Sequence, residues 1–253
     1  MYNITIRYYE ELNDFLKPEL RKRDIELSFK GRRSVKDLIE SMGVPHVEVD
    51  LILVNGSSVG FSYIIEDLDR ISVYPVFESI DIADVTRLRP SPLRDTKFVL
   101  DVHLRKLARS MRLLGFDTDY EEGRDDDLLA AISERENRIL LTCDRQLLMR
   151  KIVSRGIIVR SRDPEEQIIE VIERLQLEGL TKPFTRCIEC NGFIEGLDLS
   201  SPRFRELEKK IPPGVLEWCR EFYHCLSCGR IYWKGSHYDR LIEKTRRIID
   251  SLK

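Results

Sequence analysis

Short apolar runs alternate with amphipathic segments from residue 97 to residue 180, and this alternation constrains the fold more than any other feature. The first run, Phe98-Val99-Leu100, ends at Asp101. A helix from His103 to Leu114 follows, with an apolar stripe at helical spacing formed by Leu104, Leu107, Ala108 and Met111. The same pattern predicts further strands at 116–120, 138–142 and 157–159 and further helices at 126–135, 145–154 and 164–177. Four strand–helix units in about 80 residues predict an α/β fold, in which a parallel sheet carries helices on both faces.

Residues 1–80 predict a separate α+β domain. Alternating residues predict strands at 4–8 and 24–29, a Ser34 N-cap precedes a helix from Val35 to Met42, and apolar runs predict strands at 51–54 and 71–76. Asn55-Gly56 is a strong hairpin signal. The order strand, strand, helix, strand, strand is that of a ubiquitin-like β-grasp.

This segment resembles the sulfur-carrier branch of the β-grasp superfamily, in which a Val-Asn-Gly turn recurs. Sulfur carriers end in an exposed Gly-Gly tail, whereas Glu78-Ser79-Ile80-Asp81 follows here and the chain continues. We therefore interpret the segment as a docking or scaffold module. Residues 81–96, with Arg87, Arg89, Arg94, Pro90 and Pro92, have the composition of a linker.

Four of the six cysteines form two Cys-x-x-Cys pairs, Cys187/Cys190 and Cys225/Cys228, and a glycine follows each pair within two residues. This spacing is typical of zinc knuckles and predicts a structural Cys₄ zinc site. Cys219 and His224 are weaker candidate ligands, because neither has a second ligand two residues away. We predict a zinc ribbon and a terminal helix over residues 181–253, the helix spanning 238–252.

Acidic residues follow the predicted strands. Asp101 ends the first strand, Asp144 follows the third, and an acid-rich loop that includes Asp125, Asp126 and Asp127 opens the second helix. The carboxyl ends of parallel strands lie at one edge of a sheet, so we expect Asp101, Asp144 and one of the loop acids to converge. Carboxylates in contact repel by about 4 kcal/mol at an effective dielectric of 20, which a cation would offset.

Oxygen ligands favour Mg²⁺ or Mn²⁺, and such ions activate water and stabilise displacement at a phosphodiester. Each acid has an alternative interpretation as a helix N-cap that accepts backbone N–H bonds.

The net charge of −2 is not that of a nucleic-acid-binding protein as a whole, so RNA contacts must come from local patches. The predicted helix after Asp101 carries Arg105, Lys106, Arg109 and Arg112. Arg105 and Lys106 lie within about a turn of Asp101, and the other two suit backbone contacts farther away.

In the ribbon, Trp233 is a candidate for base stacking and Lys234 for phosphate contact, with His237 beside them. Packing of the ribbon core is the alternative for Trp233, and a structural hydrogen bond is the alternative for His237.

Several of these motifs together resemble the Mut-seven C-terminal RNase family, a branch of the PIN-like nucleases with a fused zinc ribbon. The motifs are the stretch from Phe98 to Asp117, Asp126-x-x-Leu129, Ile139-Leu-Leu-Thr-Cys-Asp144, the cysteine pairs and Tyr232-Trp-Lys-Gly-Ser-His237. The resemblance covers residues 97–238, and residues 1–80 resemble the ubiquitin-like module that some members carry.

The resemblance implies a metal-dependent ribonuclease with Asp101, Asp126 and Asp144 as catalytic acids and Asp125 as a rival to Asp126. It also matches the basic residues of the helix after Asp101. Cys143 departs from the family pattern, which has a basic residue at that position.

We therefore predict four segments: a β-grasp domain at 1–80, a linker at 81–96, a PIN-like nuclease domain at 97–180 and the zinc ribbon with its helix at 181–253. The predicted cofactors are structural Zn and catalytic Mg or Mn. RNA, tRNA or another structured RNA, is the predicted substrate, and a protein partner is expected on the β-grasp. The first residues lack the basic-then-apolar pattern of a signal peptide, and no apolar run is long enough to span a bilayer, so we expect a cytoplasmic protein without membrane contacts.

Two alternative functions remain open at this stage. One is a non-catalytic RNA-binding or adaptor protein in which the acids are caps. The other is a receiver-like phospho-acceptor, which the basic helix and the zinc ribbon disfavour.

Overall fold

The computed structural model describes residues 1–75, 88 and 96–252. The predicted linker at 81–96 therefore lies outside the described residues, apart from Leu88 and Thr96, and so does Val76. Contacts group the chain into two compact units: Met1–Asp95 with Asp125–Ile158, and Thr96–Arg124 with Val159–Lys253. The predicted domain boundaries stay predictions.

The amino-terminal part is a β-grasp-like sheet with one helix, as predicted. Its elements are β1 (Tyr2–Tyr8), β2 (Ile25–Phe29), α1 (Val35–Ser41), β3 (Val49–Val54), β4 (Ser57–Ser58) and β5 (Arg70–Pro75). The strand order is β2-β1-β5-β3-β4, with β1 parallel to β5 and the other pairs antiparallel. The sequence did not predict β4, because two serines carry no strand signal.

Local chemistry explains the ends of these elements. Ser34 caps α1 by accepting a hydrogen bond from the backbone N–H of Asp37, whose carboxylate accepts one from the N–H of Ser34. Asn55 and Gly56 have φ values of 52° and 83°, which two-residue hairpins of the I′ type require at both central positions. The predicted cap and the predicted hairpin are both confirmed.

A four-stranded sheet with flanking helices forms the central part, which confirms the predicted α/β class. Its elements are β6 (Lys97–Leu100), α2 (Arg105–Leu113), β7 (Asp117–Asp119), α3 (Asp126–Glu136), β8 (Ile139–Thr142), α4 (Arg145–Leu148), β9 (Gly156–Ile158) and α5 (Pro164–Arg174). The strand order is β7-β6-β8-β9, and the pairs β6/β7 and β8/β9 are parallel. Most residues of β6, β8 and β9 are buried, as expected of strands covered on both faces.

Two helices differ from their predicted bounds. A 3-10 turn, Val102–Leu104, precedes α2, so the regular helix begins at Arg105. Helix α4 ends at Leu148, although the sequence predicted a helix to Ser154. Beyond it the chain turns, and Val153 is buried with its carbonyl 3.0 Å from Nε2 of His46 in the β-grasp. Past Leu148 the backbone forms single turns, in which the N–H of Arg150 donates to the carbonyl of Leu147 and the N–H of Val153 donates to that of Arg150.

A small antiparallel sheet follows, with strands in the order β10-β11-β12. Its elements are β10 (Ile194–Leu197), α6 (Pro202–Leu207), α7 (Pro213–Trp218), β11 (Phe222–Cys225), β12 (Ile231–Trp233) and the terminal helix α8 (Ser236–Ser251). The sequence did not predict α6 and α7. Residues of α6 and of the sheet contribute to a core made of Leu197, Phe204, Leu207, Ile211, Cys219 and Phe222, and Val215 and Leu216 of α7 pack against it. In the described part of the chain, every helix is too short or too polar to cross a membrane.

Candidate functional site

Four cysteine sulfurs converge at one point of the ribbon. Their Sγ atoms all lie within 4.8 Å of one another, with 3.8 Å between Cys187 and Cys228 and 3.4 Å between Cys190 and Cys225. A tetrahedral zinc ion with bonds of about 2.3 Å places its sulfurs about 3.8 Å apart. The four sulfurs therefore fit a zinc ion, as predicted. Among the described residues this is the one such group of three or more potential ligands.

The two Cys-x-x-Cys loops have the same backbone design. The N–H of Cys187 donates to the carbonyl of Gly192 at 2.7 Å, and the N–H of Cys225 donates to that of Arg230 at 2.9 Å. Asn191 and Gly229, each one residue after a pair, have φ values of 68° and 66°. These left-handed residues turn each loop back over its own sulfurs. We call residues 187–192 knuckle 1 and residues 225–230 knuckle 2.

The thiols differ in acidity without a metal. Burial raises the pKa of the Cys187 thiol, but hydrogen bonds from the Tyr232 hydroxyl, at 3.0 Å, and from backbone amides outweigh this effect and lower the pKa to about 7. Burial raises the pKa of the Cys190 thiol to about 12. A bound metal ion would have to displace the proton of Cys190, so metal affinity should rise with pH. The Tyr232 hydroxyl thus has a structural contact with the cysteine cluster.

Arg112 connects helix α2 to knuckle 1. Its guanidinium, in a residue only 3% exposed, donates to the carbonyls of Thr118 at 2.9 Å, Tyr120 at 3.2 Å, Ile188 at 3.4 Å and Glu189 at 2.6 Å. Burial lowers the pKa of Arg112, and the nearby Asp119 and knuckle cysteines offset only part of this effect.

This contact differs from the RNA contact that we predicted for Arg112. The signal was present in the sequence, since Arg112 lies eight residues after Leu104 and so on the apolar stripe of the helix.

The candidate catalytic acids lie at the helix starts that the sequence predicted. Asp101 follows β6, is 4% exposed and accepts a 2.7 Å bond from the N–H of His103. Asp144 follows β8 and accepts from Gln146, and Asp125 precedes α3 and accepts from Leu128, both at 2.8 Å. All three act as N-caps.

Asp126 is the first residue of α3 and has a different partner. Its carboxylate lies 3.6 Å from the guanidinium of Arg150, which also pairs with Asp127. The sequence gave no sign of this ion pair, because Arg150 lies far from Asp126 in the chain. A shared metal ion at Asp101, Asp126 and Asp144 stays a prediction.

The other cations of α2 are accessible. Arg105 is exposed and pairs with Glu122 at 3.3 Å, and Lys106 is exposed. Arg109 is half-exposed, with its guanidinium 2.8 Å from the carboxylate of Glu189 in knuckle 1. These three residues keep the accessibility that a phosphate contact needs.

The ribbon residues that we predicted to contact RNA differ in their surroundings in the structure. Trp233 is partly buried against the ribbon core, which is the alternative considered for it. Lys234 pairs with Glu221, and His237 is exposed at the start of α8. Cys219, the weaker candidate ligand, is buried and directs its thiol to the carbonyl of Glu221 at 3.3 Å. Cys143 is exposed beside Asp144.

Two family models match the chain. The model of the Mut7-C RNase domain matches residues 96–245, and that of the Mut7-C ubiquitin domain matches residues 1–81. Neither a curated protein nor a solved structure matches the chain in the comparisons made. The RNase-domain model spans more than half of the sequence, including the acids at the strand ends, the basic helix and both knuckles. The chain therefore belongs to the Mut7-C RNase family, a nuclease family, and carries the Mut7-C ubiquitin domain at its amino end.

Proposed function

We propose that this protein is a ribonuclease that hydrolyses RNA phosphodiester bonds with the help of Mg²⁺ or Mn²⁺. The match of residues 96–245 to an RNase domain carries the proposal. The proposed metal ligands are Asp101, Asp126 and Asp144, whose carboxylate oxygens are the donors that these ions prefer. Bound there, the ion would supply an activated water and stabilise charge at the phosphate.

Capping does not prevent these acids from holding a metal ion. A cap hydrogen bond uses one lone pair of a carboxylate, and each carboxylate offers about four. The cap also fixes the side-chain rotamer, which reduces the entropy lost when a ligand binds. Asp101 and Asp144 would thus be oriented before the metal arrives. Asp126 would exchange its contact with Arg150 for the metal, and Asp125 remains the alternative third ligand.

The proposed RNA contacts begin next to Asp101. Arg105 and Lys106 are exposed in the first turn of α2, the turn that follows the Asp101 cap. Their charges would attract the phosphate at the cut, and Arg109, one turn farther along, would contact a neighbouring phosphate. Arg112 is outside this set, because its donors are used inside the protein. Lys234 and His237 remain candidate contacts.

The experiment is a cleavage assay with labelled RNAs, tRNA included, with Mn²⁺ or Mg²⁺ and after treatment with EDTA. We expect cleavage that needs the metal and falls roughly 100-fold or more in Asp101→Asn, since the charge that holds the ion is lost. Asparagine keeps an oxygen for the His103 cap, so the fold should persist.

The matched control is Asp163→Asn, because Asp163 caps α5 through the N–H groups of Glu165 and Glu166 and is outside the proposed metal set. Asp125→Asn and Asp126→Asn assign the third ligand, and we expect the larger loss from Asp126→Asn. Equal cleavage by wild type and Asp101→Asn would rule out this mechanism.

A second candidate is a non-catalytic RNA-binding or adaptor protein. The observation that favours it is that Asp101, Asp125 and Asp144 all cap helices. Thermal unfolding of zinc-loaded protein separates the two functions. A carboxylate metal site gains stability from Mn²⁺ and loses this gain in Asp101→Asn, whereas simple caps gain nothing.

A further inference from the structure

The two knuckles present an exposed apolar surface that the proposed nuclease chemistry does not use. Phe193 directly follows knuckle 1 and is 57% exposed, and Leu226 within knuckle 2 is 49% exposed. The N–H of Leu226 donates a 2.9 Å hydrogen bond to the carbonyl of Phe193, which holds the two residues side by side. We call this pair the knuckle platform.

Arg186 supports the ring of Phe193 from one side. Its guanidinium carbon lies 4.4 Å from the ring centroid, and its side chain is only 14% exposed. It is held by the carbonyl of Asn191 at 2.9 Å and by the carboxylate of Asp117 at 3.3 Å. The guanidinium lies over one face of the ring, and Phe193 as a whole is still 57% exposed.

The support fixes the aromatic ring before any ligand arrives. An ordered ring loses little conformational entropy on binding, and a cation against one face of an aromatic ring adds a favourable electrostatic term. Isolated exposed apolar residues are common on proteins, but the ring of Phe193 is held in place by a largely covered arginine that has its own hydrogen-bond partners. This arrangement suits the stacking of a flat π system on the open face.

Charges on knuckle 1 favour a nucleic acid over an apolar peptide. The carboxylate of Glu189 lies 2.8 Å from the guanidinium of Arg109 and 4.0 Å from that of Arg230, and both arginines are about half-exposed. Two cations that share one carboxylate leave a net positive charge. A phosphate can accept from such guanidinium groups in the same way as the carboxylate does.

We propose that the knuckle platform is a stacking site for an unpaired RNA base, with Arg109 and Arg230 as contacts for the adjoining phosphates. The inference rests on the proposed ribonuclease function and names the form of RNA that it takes, a single-stranded segment beside the cut. Stacking tolerates any base, because every base has a π face. The site therefore selects unpaired RNA rather than a sequence.

The experiment measures binding of a short labelled oligouridylate to zinc-loaded protein by fluorescence anisotropy, without added Mg²⁺ or Mn²⁺ and at several KCl concentrations. We expect Phe193→Ala to raise Kd roughly 5- to 150-fold and Phe193→Trp to keep the wild-type Kd. The matched control is Leu180→Ala, which removes another apolar side chain, 54% exposed, outside the ribbon. Zinc content, measured for each variant, reports whether the ribbon is intact.

Salt dependence separates the two parts of the site. Arg230→Gln should reduce the slope of log binding constant against log salt by about 0.7, since one phosphate contact is lost. Phe193→Ala should leave that slope unchanged, because stacking releases no counterions. A blunt RNA duplex should bind wild type and Phe193→Ala alike.

Three results would overturn the inference. In the first, Phe193→Ala and wild type bind the oligouridylate with the same Kd, and in the second, Leu180→Ala raises the Kd as much as Phe193→Ala does. In the third, Phe193→Ala loses self-association while its RNA affinity is unchanged. The last would make the platform a protein contact. The outcome is independent of catalysis. If RNA binding depends on Phe193 but no RNA is cleaved, the stacking site is supported and the nuclease function is contradicted. If RNA is cleaved but binding does not depend on Phe193, the nuclease function is supported and the stacking site is contradicted.

Discussion

The backbone N–H of Ile158 donates a 2.8 Å hydrogen bond to Oε1 of Glu48, in a residue that is 1% exposed. Ile158 ends β9, an edge strand of the four-stranded sheet, and Glu48 ends a 3-10 turn just before β3 of the β-grasp. Edge strands leave backbone groups unpaired, and proteins protect them by covering the edge. The β-grasp thus provides a side-chain acceptor to the edge of its own chain's sheet, which supports its interpretation as a scaffold module.

We expect Glu48→Ala to lower the stability of the protein by about 1–3 kcal/mol, because a buried N–H loses its acceptor. Hydrogen exchange should also become faster at Ile158. Thermal unfolding and hydrogen-exchange mass spectrometry measure the two effects. Glu19→Ala, at an exposed position of the β-grasp, is the control and should change neither. Unchanged exchange at Ile158 in Glu48→Ala would show that the bond does not protect this strand.

Features that depend on local period and spacing were predictable from the sequence. The β-grasp order, the four strand–helix units, the Ser34 cap and the Asn55-Gly56 hairpin follow from residues close together in the chain. The cysteine spacing predicted a site whose sulfurs the structure brings together.

Contacts between distant segments were not predictable. Nothing in the sequence pointed to the role of Glu48, whose partner is 110 residues away. Val153, beyond the early end of α4, has its contact with His46, 107 residues away. Arg112 was partly predictable from its place on the apolar stripe, but its acceptors in knuckle 1, 76 and 77 residues away, were not.

Arg112→Lys should destabilise the attachment of knuckle 1 to α2. Lysine keeps the positive charge but cannot reproduce the planar fork that serves carbonyls of β7, the following loop and the knuckle. We expect a loss of about 3 kcal/mol or more, since several buried carbonyls lose a charged donor. Thermal unfolding measures the loss. Arg203→Lys, at an exposed position of α6, should stay within about 0.5 kcal/mol of wild type, and an equally small change in Arg112→Lys would contradict the structural role.

Metal analysis of the purified protein should find about one zinc ion per chain, bound by four thiolates. Cys228→Ser should lose this zinc and unfold the ribbon at a lower temperature, because the binding energy of structural zinc is folding energy. Cys143→Ser replaces an exposed cysteine outside the cluster and should retain the metal. A wild-type protein that binds no zinc after refolding in its presence would contradict the assignment.

Lys106→Gln should weaken RNA cleavage mainly through substrate binding. The loss of one phosphate contact should raise KM and reduce the salt dependence of kcat/KM by a slope of about 0.7–0.9. Cleavage rates at several KCl concentrations measure this. Lys151→Gln, another exposed lysine in the central part of the chain, is the matched control. If both variants change kcat/KM alike, the effect comes from the overall charge and not from a contact at Lys106.

Gly192→Ala should disturb the packing of knuckle 1 against knuckle 2. A Cβ atom at Gly192 would lie 2.8 Å from Cβ of Ser227 and 2.9 Å from Sγ of Cys225, distances that force one knuckle to move. We expect a loss of about 1–3 kcal/mol in the zinc-loaded protein and faster zinc release to a chelator, because the strain acts on a ligand loop. The double variant Gly192→Ala/Ser227→Gly removes the Ser227 side chain but leaves the close contact with Sγ of Cys225, so it should recover only part of the loss. Gly196→Ala is the matched control, since its Cβ atom would meet no heavy atom within 4 Å in the same ribbon. Equal zinc release from Gly192→Ala and Gly196→Ala would mean that the knuckles do not need this close approach.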